Sequence, residues 1–148
     1  MSDLNQLYKK TILTHNRNPQ NYGKPETWTH QAEGLNAICG DLVQVYLTIK
    51  AERLISVHYA GESCAISMAS ASMMTELSTG LTLSEWKLRF EQFKQLMKVN
   101  SDHQTFEELG QVNTLVTVKK FPSRIKSATL CWYAVDAAIR GLPTATTE

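Results

Sequence analysis

At 148 residues the chain is long enough to bury one substantial core and too short for two domains of ordinary size, so one domain over 1–148 is expected. A 43% hydrophobic and 20% charged composition with a net charge of +1 is that of an ordinary soluble globular protein. It offers no electrostatic field for a polyanion, so no nucleic-acid partner is expected. Met1 to Lys10 lacks an apolar export core, no apolar run is long enough to span a bilayer, and the three cysteines (Cys39, Cys64, Cys131) are an odd count. These features predict a cytoplasmic protein away from the membrane, with reduced thiols used for metal or sulfur chemistry rather than a disulfide framework.

The N-terminal segment reads as an amphipathic helix, with Leu4, Leu7, Tyr8, Thr11 or Ile12, and His15 at helical spacing and Asp3 with Gln6 in the form of a capping box. Turn formers from Asn16 to Pro25 end it and lead into a polar loop reaching roughly to Gly34. His15 and His30 have no Cys, Asp or His at ligand spacing and read as ordinary polar or packing residues.

Cys39, Gly40 and Asp41 precede Leu42 to Ile49, where Val43, Val45, Leu47 and Ile49 alternate with the rest and define a strand with one apolar face. Lys50 to Arg53 form a short link to a second strand, Leu54 to Ala60, and the pair is predicted to be an antiparallel hairpin. Asp41 and Gly61 then lie at the same end of the sheet, which brings Cys39, Asp41 and Cys64 together. The small, unbranched residues after Cys64 suit a closely packed helix, so Cys64 falls near a helix N-terminus. There the unpaired amides and the helix dipole favour a thiolate; the alternative is a buried small hydrophobe.

Gly80 supplies a C-cap to that helix, and Thr82 with Glu85 make a capping box for another through about Lys98, with Trp86, Phe90, Phe93 and Met97 as a core or interface stripe. A loop from Asn100 to Gln104 contains His103, and Thr105 with Glu108 caps a short helical turn. Leu109 to Lys120 reads as a strand on propensity or a helix on spacing. The last helix starts at Pro122 and ends at Gly141 and Pro143, with Ile125, Ala128, Trp132, Val135 and Ile139 on its apolar face. A second stripe of small residues, Ser127, Cys131, Ala134 and Ala138, admits another backbone closely and makes Cys131 a packing residue. A thiol enzyme with Cys64 as nucleophile and His58 as base is a weaker reading, because no third residue orients the histidine.

These segments together resemble the iron-sulfur cluster assembly proteins of the IscU/NifU N-domain type, and most closely their SufU branch. The resemblance is carried by Leu7-Tyr8, Pro19, Asn21 and Gly23, Cys39-Gly40-Asp41, Gly61, Cys64-Ala65-Ile66-Ser67, Ala69 to Thr75, Phe121-Pro122, Arg124-Ile125-Lys126 and Ala128-Thr129-Leu130. The insertion between Gly80 and Gly110 is of the kind that sets SufU-like members apart. It implies an α+β fold with a small antiparallel β-sheet packed against helices (IscU/SufE-like), and it favours the helical reading before Phe121.

It also implies a site of three cysteines and one aspartate that binds zinc or builds a transient iron-sulfur cluster. A pyridoxal-phosphate cysteine desulfurase (SufS-like) would deliver sulfur there as persulfide, with other Suf/Isc assembly proteins as further partners. By position, Cys39 is the sulfur acceptor and first thiol, Asp41 the aspartate and Cys64 the second thiol, so Cys39, Asp41 and Cys64 are the metal ligands the resemblance implies. The third cysteine falls on Ser127, a poor ligand beside thiolates.

Either zinc is held by Cys39, Asp41 and Cys64 with water or a partner residue, or zinc is lost, or Cys131 takes over. The last needs local unwinding, since Cys131 lies about 6 Å further along the helix axis. Ala37, Ser63 and Asn16 are further departures. The function implied is acceptance of persulfide sulfur, cluster scaffolding, or both, with Arg124 and Lys126 lending positive charge beside the thiols. At most this makes the chain a sulfurtransferase acting with the desulfurase; the alternative is a docking or regulatory module for that enzyme that carries neither sulfur nor metal.

Overall fold

Alternating apolar residues build the hairpin at the centre of the fold. β1 spans His30–Asn36, β2 Asp41–Lys50 and β3 Arg53–Glu62. β2 and β3 pair antiparallel from Leu42 opposite Glu62 to Lys50 opposite Arg53, and their inward side chains Val43, Val45, Leu47, Val57 and Tyr59 are fully buried. The computed structural model describes residues 3–99 and 105–146, without the side chains of Asp3 and Leu4. The predicted loop around His103 and the aspartate of the first predicted capping box therefore lie outside what is described. The hairpin turn has only two residues between the paired ends, Ala51 and Glu52, both at positive φ (52° and 61°), the left-handed pair that a type I′ turn requires.

The polar loop expected to reach Gly34 is in fact shorter, because His30–Asn36 is β1, which pairs antiparallel with β2. Its inward residues are Ala32, Gly34 and Asn36, too small or too polar to show as an apolar alternation. The last helix lies against this strand: a Cβ on Gly34 would meet Leu130 Cδ1 at 3.1 Å and Ala134 Cβ at 3.3 Å. That close approach is what selects small residues in β1. A three-residue strand, β4 (Thr144–Thr146), runs parallel to β1, giving the order β3-β2-β1-β4. The α+β class holds, with an antiparallel three-stranded sheet that gains one short parallel edge.

Four α-helices are described: α1 (Asp3–Arg17), α2 (Ala65–Ser78), α3 (Leu83–Leu96) and α4 (Pro122–Ile139). α2 and α4 cross closely, and Ser70 Oγ donates to the Ala128 carbonyl at 2.6 Å. The small-residue stripe Ser127, Cys131, Ala134 and Ala138 is buried, as close packing requires. Burial pushes the Cys131 thiol up to about 12. α3 begins with the predicted capping box: Thr82 Oγ1 accepts from the Glu85 amide (3.1 Å) and Glu85 Oε1 from the Thr82 amide (2.8 Å). It ends at Leu96, two residues before the expected Lys98. Its Trp86, Phe90 and Phe93 form a stack with Trp132 of α4, with ring centroids 4.5 Å apart for Phe93 and Trp132.

Glu107–Lys120 is a 3₁₀ segment broken at Gly110 (φ 53°, ψ −128°), which resolves the strand-or-helix ambiguity as helical. The predicted Thr105–Glu108 cap does not form. Phe106 holds the N-cap position without a side-chain cap, and Asn113 replaces it by accepting from the Phe106 amide (3.0 Å) and donating to the Phe106 carbonyl (2.7 Å). His15 is buried as a packing residue, 2.6 Å from Ser72 Oγ and 3.0 Å from Gln111 Oε1.

The outer edge of β3 is met by two passing loops. The Gly23 amide donates to the Tyr59 carbonyl (2.7 Å) and the Tyr59 amide to the Asn21 carbonyl (3.2 Å). Nearer the turn, the Leu54 amide donates to the Leu81 carbonyl (2.8 Å) and the Gly80 amide to the Leu54 carbonyl (2.7 Å).

Candidate functional site

The two exposed cysteines sit on the two connections at one end of the sheet. Residues 37–40 turn from β1 into β2, with Gly40 at φ 69°, and they raise Cys39 into solvent beside Ile38, which is 72% exposed. Cys39 Sγ lies 3.9 Å from the Ser123 carbonyl in the first turn of α4. At the other connection β3 runs out at Glu62, and Cys64 is the N-cap of α2, its Sγ accepting from the Ser67 amide at 3.5 Å. The sulfur thus takes the capping role usually filled by an oxygen and satisfies one of the free first-turn amides of α2. Both thiols are therefore open to a donor molecule, while Cys131 is closed off in the α2–α4 contact.

Between the two connections lies Asp41, fully buried at the start of β2. Its Oδ1 accepts from the Cys64 amide (3.0 Å), and its Oδ2 from Ser127 Oγ (2.7 Å) and Asn36 Nδ2 (3.3 Å). The hairpin thus brings Asp41 to the β3–α2 junction, as the topology predicts, and α4 adds Ser127. Asn36 was not singled out in the sequence; its signal is the register that sets it directly opposite Asp41, and that register depends on β1.

Tyr8 of α1 completes this neighbourhood. Burial pushes its phenol up, the positive charge of Arg124 opposes the shift, and Cys64 adds to it. Arg124 stacks over Phe121 at 4.4 Å, and Lys126 lines a groove with Lys94 and Tyr133. His58 lies opposite Tyr46 in the hairpin, four residues before the end of β3, about 13 Å along the strand, which leaves it unsuited to act as a base for Cys64.

Among the described residues, no three of His, Cys, Asp and Glu converge on a point where a metal ion would sit. The donor chemistry at the site points the same way. Two thiols are free, the carboxylate already accepts from three donors, and the fourth polar group is a neutral hydroxyl that gives its proton to that carboxylate. As arranged, this set does not fit a resident tetrahedral ion.

Comparison with known proteins agrees with the fold. Residues 7–128 match the NifU-like N terminal domain family. The chain is 32% identical over 138 residues to the zinc-dependent sulfurtransferase SufU of Bacillus subtilis, covering 93% of this chain and 92% of the relative. It is 31% identical over 146 residues to the iron-sulfur cluster assembly scaffold protein IscU of Streptococcus pyogenes, covering 95% and 87%. Among solved structures, the putative iron-sulfur cluster assembly scaffold protein for the SUF system of Fervidobacterium islandicum superposes with a TM-score of 0.77 at 28% identity, covering 90% of this chain and 97% of that one. The match over most of the length, with the aspartate and two thiols assembled at one end of the sheet, identifies the chain as a member of the NifU-like N-terminal domain family.

Proposed function

We infer that the protein handles sulfur in iron-sulfur cluster assembly, accepting persulfide sulfur on Cys39 from a cysteine desulfurase, with Cys64 as the second thiol at which sulfur or a nascent cluster is held as cargo. The observation that carries this reading is the pair of exposed thiols on adjacent connections, set apart from a third cysteine buried in the core. The similarity to relatives named as a sulfurtransferase and as a cluster scaffold supports it.

In the transfer step the Cys39 thiolate attacks the outer sulfur of the desulfurase persulfide. A new S–S bond forms on Cys39, the donor's S–S bond breaks, and its electron pair leaves with the donor cysteine as thiolate. No net oxidation occurs, so no further oxidant is needed. The exposure of Cys39 beside the exposed side chain of Ile38 gives the donor access, and a reducing cytoplasm is the compartment in which such thiols stay available. On this reading the protein is the partner of a pyridoxal-phosphate enzyme and at most a sulfurtransferase. Zinc belongs to the name of the Bacillus relative; here a nascent cluster would be held as cargo through Cys39 and Cys64, with Asp41 bonded to Ser127, Asn36 and the Cys64 amide.

Incubation with a cysteine desulfurase and L-cysteine, followed by mass spectrometry of the intact chain and its peptides, is expected to find persulfide on Cys39 and none in Cys39→Ser. Absence of persulfide from wild-type Cys39 overturns the acceptor role. A second reading is favoured by Ser127 standing in the ligand set: a regulatory module that docks on the desulfurase. In that case Cys39→Ser keeps the wild-type effect on desulfurase turnover.

A further inference from the structure

Asp41 ties four parts of the fold together: its own strand β2, the last residue of β1 through Asn36, the start of α2 through the Cys64 amide, and the second turn of α4 through Ser127. Asn36, Asp41 and Ser127 are all buried, so these bonds form where water cannot replace them. A metal ion held by Cys39, Asp41 and Cys64 would fasten the 37–40 turn, β2 and the start of α2. Only α4 would then depend on a ligand at position 127.

We propose that the Ser127–Asp41 hydrogen bond takes the place of a resident metal ion in this chain. The hydroxyl satisfies the carboxylate as a neutral donor and fastens α4 to the hairpin, so the site end of the fold is held together without metal and Cys39 and Cys64 stay unligated for sulfur. Coordination through Asp41 Oδ2 would instead compete with the two bonds that oxygen already accepts, from Ser127 at 2.7 Å and Asn36 at 3.3 Å. A serine hydroxyl freed in that way is a poor ligand beside thiolates, so the lost bonds are not regained. The inference deepens the sulfur-acceptor reading by stating the metal state in which the thiols work. It is read by melting and metal content, so its failure is separate from a failure to form persulfide.

The experiment compares thermal melting of the full chain in excess EDTA and in equimolar zinc sulfate, for wild type, Ser127→Ala and Ser127→Cys, with zinc counted after gel filtration. Wild type is expected to melt at the same temperature in both conditions and to retain little zinc. Ser127→Ala, which strands one oxygen of Asp41 on the long Asn36 bond, is expected to melt about 3–8 °C lower in EDTA. Ser127→Cys, which supplies a third thiolate, is expected to melt higher with zinc than with EDTA and to retain about one zinc per chain. Three results overturn the proposal: wild type losing stability in EDTA or retaining one tightly held zinc, Ser127→Ala melting as wild type in EDTA, or Ser127→Cys gaining no zinc-dependent stability.

Discussion

Gly61, opposite Val43 in the hairpin, lies so close to the main chain of Leu42 that a Cβ on it would collide with the Leu42 carbonyl oxygen and come within 3.1 Å of its carbonyl carbon. Gly61 also holds φ at +124°, a conformation that L side chains rarely adopt. The same carbonyl accepts from Ser63 Oγ at 3.2 Å, so the contact lies one step from Cys64. Gly61→Ala is expected to lower stability by about 3 kcal/mol, measured by urea unfolding, through combined strain and clash. A variant as stable as wild type would show that the strand end relaxes freely.

The thiols divide by burial. Iodoacetamide is expected to label Cys39 and Cys64 in the native protein and to reach Cys131 only in denaturant. The same burial shapes the alkaline limb of stability. Burial lifts the Cys131 thiol from 9.0 to about 12 and the Tyr59 phenol from 10.0 to about 12, so both ionise first in the unfolded chain. Their contribution is complete below about pH 9 and is lost as pH rises toward 12. Denaturation midpoints are therefore expected to fall across this range, and to fall less in Cys131→Ala.

The start of α3 is fixed by a reciprocal pair that the sequence announces. Thr82→Ala is expected to cost about 1 kcal/mol by urea unfolding at neutral pH. The backbone amide of Thr82, then its hydroxyl, hold the Glu85 carboxyl below its usual 4.5. A lowered carboxyl contributes above its unfolded value and loses that contribution as pH falls through the folded one. The gap between wild type and Thr82→Ala is therefore expected to narrow in acid.

The β2–β3 turn carries two left-handed residues with side chains where Asn-Gly is the favoured pair. Ala51→Asn combined with Glu52→Gly is expected to stabilise the fold by about 1 kcal/mol, seen as a higher urea midpoint. The bond from the Leu83 amide to the Glu52 carbonyl (2.9 Å) involves only main chain and is retained.

What the sequence reveals of this protein depends on whether a residue's role is local. The hairpin, the α3 cap and the start of α4 rest on period and capping chemistry, and all three stand where residue order puts them. β1 is invisible by the same method because its inward residues are chosen by α4, which is about a hundred residues away in sequence and close enough to touch Gly34. Asn113 capping its own segment backwards is hidden for a related reason: a side chain seven residues on outcompetes the Thr105 that spacing favours. At the site, Cys39, Asp41 and Cys64 could be grouped from hairpin topology. The hydrogen bonds that occupy Asp41 could not, since they need the β1 register and the position of α4 together.

The loops laid along β3 carry a consequence for self-association. With Tyr59 and Leu54 already bonded through both their amides and their carbonyls, the outer rim of that strand has few main-chain groups left to recruit a strand from another molecule. Crowded copies of this protein are thus shielded on that side from the open-ended strand stacking that turns a sheet into a fibre. Truncating residues 18–23 or loosening the 79–82 crossing would remove the shield, and faster aggregation on storage is the form in which its loss would be felt.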